Sequence, residues 1–286
     1  HGCSTRQQHG HANDETGEIV RQTGAGGYII AGETNSFGAG GNDLWLIKTD
    51  DKGQMVWNKA FGGEGEESGL ELVVLHDGYL VAGYTSSFWS GGQDAWVLRV
   101  DSQGTLLWDK TFGGAANDSI SSLVAAPGGG FVLAGFTLSS GSGNSDGWLF
   151  KIDEAGGQVW NLTFGGTGFD FFSAVNTTAD GGYVITGSTD SFGNEGDIWL
   201  VKTDAGGALQ WQKKYRGQGE DFGLYSAQTA DRGYFIAGTG HSVEGDSDSG
   251  PSVNSGGDGC GCAIGAAPKR PDSTLLLVLT LLLVLI

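Results

Sequence analysis

One phrase recurs along this chain and limits what it can fold into. "MVWNKAFGG" (Met55–Gly63) returns as "LLWDKTFGG" (Leu106–Gly114), as "QVWNLTFGG" (Gln158–Gly166) and, altered, as "LQWQKKYRG" (Leu209–Gly217). A second phrase, "DLWLIKTD" (Asp43–Asp50), returns as "DAWVLRVD", "DGWLFKID" and "DIWLVKTD", with tryptophans at Trp45, Trp96, Trp148 and Trp199. A third, "GYIIAG" (Gly27–Gly32), returns with its ring at Tyr79, Phe131, Tyr183 and Tyr234. The period is about 51–52 residues, close to the roughly 40–50 of a propeller blade.

Each period offers four short β-rich runs, in the second "LELVVLH", "GYLVAGYT", "DAWVLRVD" and "TLLWDKTF". Gly-rich turns join the first run to the second, and "DDKG", "DSQG" or "DAGG" joins the third to the fourth; both are hairpin signals. In the fourth run the Trp and the following Phe or Tyr are four residues apart, so they share one face of a strand. The runs are short, β-branched and cut by glycine, which excludes a helical reading. The 54 glycines serve turns, because 9 Trp, 14 Phe and 7 Tyr are far more aromatic surface than a flexible polymer carries. The predicted fold is therefore all-β, a β-propeller of four-stranded blades, with a right-handed β-helix as runner-up.

The D-x-x-G-x-x-x-W stretches Asp50–Trp57 and Asp101–Trp108 resemble the tryptophan-docking motif of quinoprotein-like propellers, one residue shorter. The repeat as a whole resembles a large group of uncharacterised bacterial and archaeal secreted propeller-repeat proteins. No residues match the quinone or calcium ligands of the quinoprotein dehydrogenases, so that activity is not carried over.

Residues 1–12 are expected to be a frayed N-terminus at a fragment start, and residues 13–240 the propeller, with four complete blades and a partial fifth. Residues 241–259 read as a Gly/Ser/Asp linker. Residues 260–286 contain Cys260, Cys262 and an apolar run, Leu275–Ile286, expected as a short C-terminal helix of about 18 Å, less than the roughly 30 Å of a bilayer core. Cys260-Gly261-Cys262 ahead of that run resembles the myxobacterial C-terminal sorting tag (MYXO-CTERM). That resemblance implies a processed or membrane-anchoring tail and display at the cell surface, although the family's terminal Arg cluster is missing. No cysteine falls inside the repeats, so no disulfide framework holds them.

A residue present in every blade is expected to serve the blade. Asp43, Asp94, Asp146 and Asp197 precede the third strands, and Glu67, Asp118, Asp170 and Asp221 precede the first. These should cap amides or fix turns. The alternative for the first set is a repeated Ca2+ site, the one cofactor left open. Function is sought where the repeat breaks. Trp89 is the ninth Trp, and its counterparts are glycine. Trp89 and Phe88, with Glu64, Glu66 and Phe169 on the same long-connection face, are the ligand-binding candidates, suited to a sugar ring or a partner's apolar side chain. No catalytic residue is assigned. Net charge −18 argues against nucleic acid. The expected function is a surface-displayed, non-enzymatic binding or scaffolding propeller. Its partner is an unidentified glycan or protein, and the C-terminal tail reaches the membrane. The alternatives are an extracellular glycan hydrolase and a purely structural coat or adhesion spacer.

Overall fold

Short β-branched runs separated by tight turns can satisfy their backbone only by pairing with one another. A computed structural model describes residues 15–24, 26–88, 91–192, 196–216, 219–240, 264–265 and 274–277. The first sheet is β1 (Glu15–Gln22), β2 (Tyr28–Thr34), β3 (Asp43–Thr49) and β4 (Met55–Phe61). The second is β5 (Glu67–Leu75), β6 (Gly78–Thr85), β7 (Asp94–Asp101) and β8 (Leu106–Phe112). The third is β9 (Asp118–Ala125), β10 (Phe131–Thr137), β11 (Asp146–Ile152) and β12 (Gln158–Phe164). The fourth is β13 (Asp170–Thr177), β14 (Tyr183–Thr189), β15 (Asp197–Thr203) and β16 (Leu209–Tyr215). Each is a sequential antiparallel meander, the form of a propeller blade.

The fifth sheet begins with the hairpin β17 (Phe222–Gln228) and β18 (Tyr234–Thr239). Its other two strands come from the tail: β19 (Ile264–Gly265) and β20 (Thr274–Leu277), with β20 parallel to β18. This corrects the expected C-terminal helix where the tail is described. An apolar run of 12 residues is marginal as an isolated helix, whereas the free edge of β18 offers a row of unpaired N–H and C=O groups. The remainder of the tail, and residues 1–14, lie outside the described residues.

A β-bulge interrupts the first strand of every sheet, between Gly17 and Ile19, Gly69 and Glu71, Ile120 and Ser122, Phe172 and Ala174, and Gly223 and Tyr225. The bulge pushes that strand's carbonyl onto the glycine that closes the "GYxxAG" phrase. A Cβ on Gly32, Gly83 or Gly135 would lie 1.9 Å from the oxygen of Thr16, Ser68 or Ser119. The glycine is there for close backbone approach.

The hydrophobic core lies between consecutive sheets. Ile29, Ala31, Leu44 and Leu46 of the first sheet pack with Leu72, Val81, Trp96 and Leu98 of the second, and equivalent clusters join second to third, third to fourth and fourth to fifth. Fourth-strand tryptophans add a second link. Trp57 donates from Nε1 to the Ser102 carbonyl at 3.2 Å, in the β7–β8 turn of the next sheet. Its ring also lies 6.2 Å from Tyr79 of that sheet, as Trp160 lies 6.4 Å from Tyr183 and Trp211 5.1 Å from Tyr234. Among the described residues, no core cluster and no strand pairing joins the fifth sheet to the first.

Candidate functional site: the long-connection face

Second-to-third and fourth-to-first connections emerge at the same end of every sheet, because Glu67 pairs with Thr85 and Thr85 with Asp94 across one register. They are stitched to each other. Glu67 N donates to the Asn42 carbonyl at 2.7 Å, and the same bond recurs from Asp118 to Gln93, Asp170 to Ser145 and Asp221 to Gly196. Consecutive blades are thus tied at the mouth of each junction.

The acids that begin the first strands are wired into these turns. Glu67 accepts from Gly63 N at 2.7 Å, Thr85 Oγ1 at 2.7 Å and Ser87 Oγ at 2.5 Å. Asp118 accepts from Gly114 N at 2.9 Å and Ser139 Oγ at 2.6 Å. Asp170 accepts from Gly166 N at 2.9 Å and from the Thr189 and Ser191 hydroxyls. The acid thus holds the Thr that ends the second strand in the second and fourth sheets, and a Ser two residues after that Thr in the first four sheets.

Facing each of these acids is the aspartate that begins the preceding sheet's third strand. A Cβ on Gly62 would stand 2.2 Å from Asp43 Oδ1 and 2.3 Å from Glu67 Oε2. On Gly113 it would stand 2.2 Å from Asp94 Oδ1 and 2.6 Å from Asp118 Oδ2. On Gly165 it would stand 2.7 Å from Asp146 Oδ1 and 2.4 Å from Asp170 Oδ2. Three junctions therefore hold two buried carboxylates on either side of a glycine. Burial pushes the Asp43, Asp94 and Asp146 carboxyls above the ordinary range, and Glu67, Asp118 and Asp170 opposite push them further. The fourth junction differs. Arg216 stands where the others have glycine, and its Nε and Nη2 donate to Asp197 Oδ1 and Oδ2 at 3.1 and 3.3 Å. The sequence carries this difference as "YRG" in place of "FGG", but the partner of Arg216 is 19 residues upstream. Among the described residues, no group of three or more His, Cys, Asp or Glu is placed to hold a metal.

The ligand-binding candidates divide. Glu64 and Glu66 are exposed at the first junction, where Glu66 Oε2 accepts from Asn42 N at 3.1 Å. Phe88 is close by: a Cβ on Gly63 would lie 3.4 Å from its Cε1. Phe88 is 46% exposed and packs its ring 5.5 Å from Trp96, as Phe37 packs 6.0 Å from Trp45 and Phe192 6.1 Å from Trp199. It is a repeated part of the blade. Phe169, 57% exposed, sits at the third junction, apart from the others. Trp89, Cys260 and Cys262 lie outside the described residues.

The opposite, short-turn face carries a different repeated network. Asp50, Asp101, Asp153 and Asp204 each accept two backbone N–H bonds within their turns at 2.8–2.9 Å. Buried Lys202 pairs with Asp180 at 2.9 Å, and Arg99 pairs with Asp77 at the equivalent place in the second sheet. The Thr178 hydroxyl and the Lys202 ammonium hold Asp180 at about 2.

No family model matches the chain, and no curated protein matches it. Among solved structures it is similar to one described as puromycin hydrolase, with TM-score 0.50 and 12% identity over 78% of this chain and 36% of that one. Another, described as a eukaryotic initiation factor, has TM-score 0.32 and 10% identity over 70% of this chain and 55% of that one, and carries no argument. The chain spans about a third of the first structure and about half of the second. The first likeness supports a propeller-type fold and nothing finer.

Proposed function

We propose that this chain is a non-enzymatic propeller that binds or scaffolds outside the cell, held at the surface by its Cys260/Cys262 tail. One observation supports it above the others. The close carboxylate pairs that could act as acid and base occur in the same form at three junctions, where hydrogen bonds commit Glu67, Asp118 and Asp170 to turn geometry. A catalytic pair belongs to one cleft, whereas a pair repeated by the blade serves the blade. The solved neighbour described as puromycin hydrolase is a protein of which this chain spans 36%, and its activity is not carried over.

The recognition surface under this reading is the long-connection face at Glu64, Glu66 and Phe88, to which the sequence adds Trp89; an aromatic ring beside carboxylates suits a sugar ring or an apolar side chain. The test is a panel of polysaccharides and surface proteins presented to the purified chain, scored for both retention and turnover. Retention without turnover, weakened by Trp89→Gly while the melting temperature stays within a few degrees, is the expected result. Turnover of any panel member would overturn the reading. Neither retention nor turnover would favour the structural spacer.

A further inference from the structure

We propose that a hard divalent cation, Ca2+, seats between the facing carboxylates at three inter-blade junctions (Asp43 with Glu67, Asp94 with Asp118, Asp146 with Asp170), and that Arg216 takes its place at the fourth. Two independent observations carry this. Asp43 is 1% exposed, and its Oδ1, which faces Glu67 Oε2 across Gly62, has no hydrogen-bond partner among the described residues. A buried anionic oxygen without a donor is costly, and here a second carboxylate lies on the other side of Gly62. The second observation is the fourth junction, where the same chain, at the same place in the repeat, supplies a positive charge of its own through Arg216 and Asp197.

The occupant is a small ion. Asp43, Glu67, Asp94, Asp118, Asp146 and Asp170 are all at most 4% exposed, so a partner's arginine or lysine cannot reach between them without opening the junction. Carboxylate oxygens are hard donors suited to Ca2+, which accepts irregular shells at 2.3–2.6 Å and fills them with water, whereas Mg2+ demands near-ideal octahedra. Two carboxylates and water make a weak site, with Kd on the order of 10⁻⁴–10⁻³ M, the range of extracellular calcium modules. A bound ion would tie consecutive blades at the end of the sheets opposite the Trp57-type docking contacts.

The experiment is calorimetric titration of the full chain with Ca2+, alongside melts in Ca2+, Mg2+ and Na+ at matched ionic strength. Gly62→Arg rebuilds the fourth junction at the first. Gly62 lies outside the left-handed region, unlike Gly113 and Gly165 at φ +150°, so its backbone accepts arginine, although the new Cβ requires the Asp43 and Glu67 carboxylates to shift. Expected are about three Ca2+ per native chain, a melting temperature raised by Ca2+ above the Mg2+ and Na+ controls, and one equivalent fewer in Gly62→Arg. That variant should also melt higher than the native chain without calcium. Absence of binding at millimolar Ca2+, an equal response to all three salts, or unchanged stoichiometry in a folded Gly62→Arg would each overturn the proposal. The native-chain titration decides the matter even if the variant fails to fold.

Discussion

Gly104, Gly156 and Gly207 each meet two requirements at once. They hold φ of +76°, +80° and +85°, and a Cβ there would press within 3.0–3.2 Å of the docking ring of Trp57, Trp108 or Trp160 from the preceding sheet. Gly156→Ala is therefore expected to cost on the order of 1–2 kcal/mol for the left-handed backbone alone, before any displacement of Trp108. Trp108→Ala should cost less than the roughly 3–5 kcal/mol of a fully buried ring, because Trp108 is only half-buried; urea unfolding measures both. The turn glycine and the tryptophan were each legible in the D-x-x-G-x-x-x-W phrase. Their meeting was not, because each glycine touches the tryptophan of the blade before. A second residue-scale expectation concerns Asp180, held at about 2 against an ordinary 3.8. A depressed carboxylate stabilises the fold above its ordinary value and loses that contribution as pH falls through the folded one. The stability difference between the native chain and Asp180→Asn should be constant above about pH 5 and shrink between about pH 4 and 2. Asp180 is half exposed, so the difference is on the order of 1 kcal/mol after screening. No change with pH would contradict the depressed carboxylate that the Thr178 hydroxyl and the Lys202 ammonium impose.

At the scale of elements, the same strand position has opposite consequences in different sheets. Val20 in β1, Leu72 in β5, Leu123 in β9 and Val175 in β13 hold one register, opposite Ile30, Val81, Leu133 and Ile185. Leu72, Leu123 and Val175 are 0%, 6% and 3% exposed, whereas Val20 is 54% exposed. An inner strand is buried by the sheet before it, and among the described residues nothing covers that side of β1. Val20→Ser should change stability by no more than about 0.5 kcal/mol, while Leu72→Ala should cost roughly 2–5 kcal/mol; chemical denaturation distinguishes the two. Equal costs would mean that β1 is covered in solution. Strand order, turns and the tryptophan and aromatic positions were readable from period and alternation. The first-strand bulges were not, because a bulge adds one residue without altering composition. The tail strand β20 was missed for another reason. Its run is apolar enough to suggest a helix, and only the open edge of β18 gives it a strand to join.

Among the described residues every core cluster is shared by two consecutive blades, so stability resembles a sum of nearest-neighbour interfaces. Tryptophan docking links neighbours on one face, and the Asp43/Glu67-type junctions link them on the other. The repeated carboxylates were legible one at a time, yet their pairing was not, because Asp43 and Glu67 belong to different blades. The central claim is that these acids are architecture whose charge each junction must manage, with the fourth junction managing it through Arg216. Replacing the equivalent aspartate at each junction tests this against an internal control: Asp43→Asn, Asp94→Asn, Asp146→Asn and Asp197→Asn, melted at pH 7 without calcium. The first three remove a charge that faces another buried anion, so their melting temperatures should be unchanged or higher. Asp197→Asn instead strips Arg216 of its carboxylate and should cost roughly 1–3 kcal/mol. Four variants shifting alike, in either direction, would contradict the account.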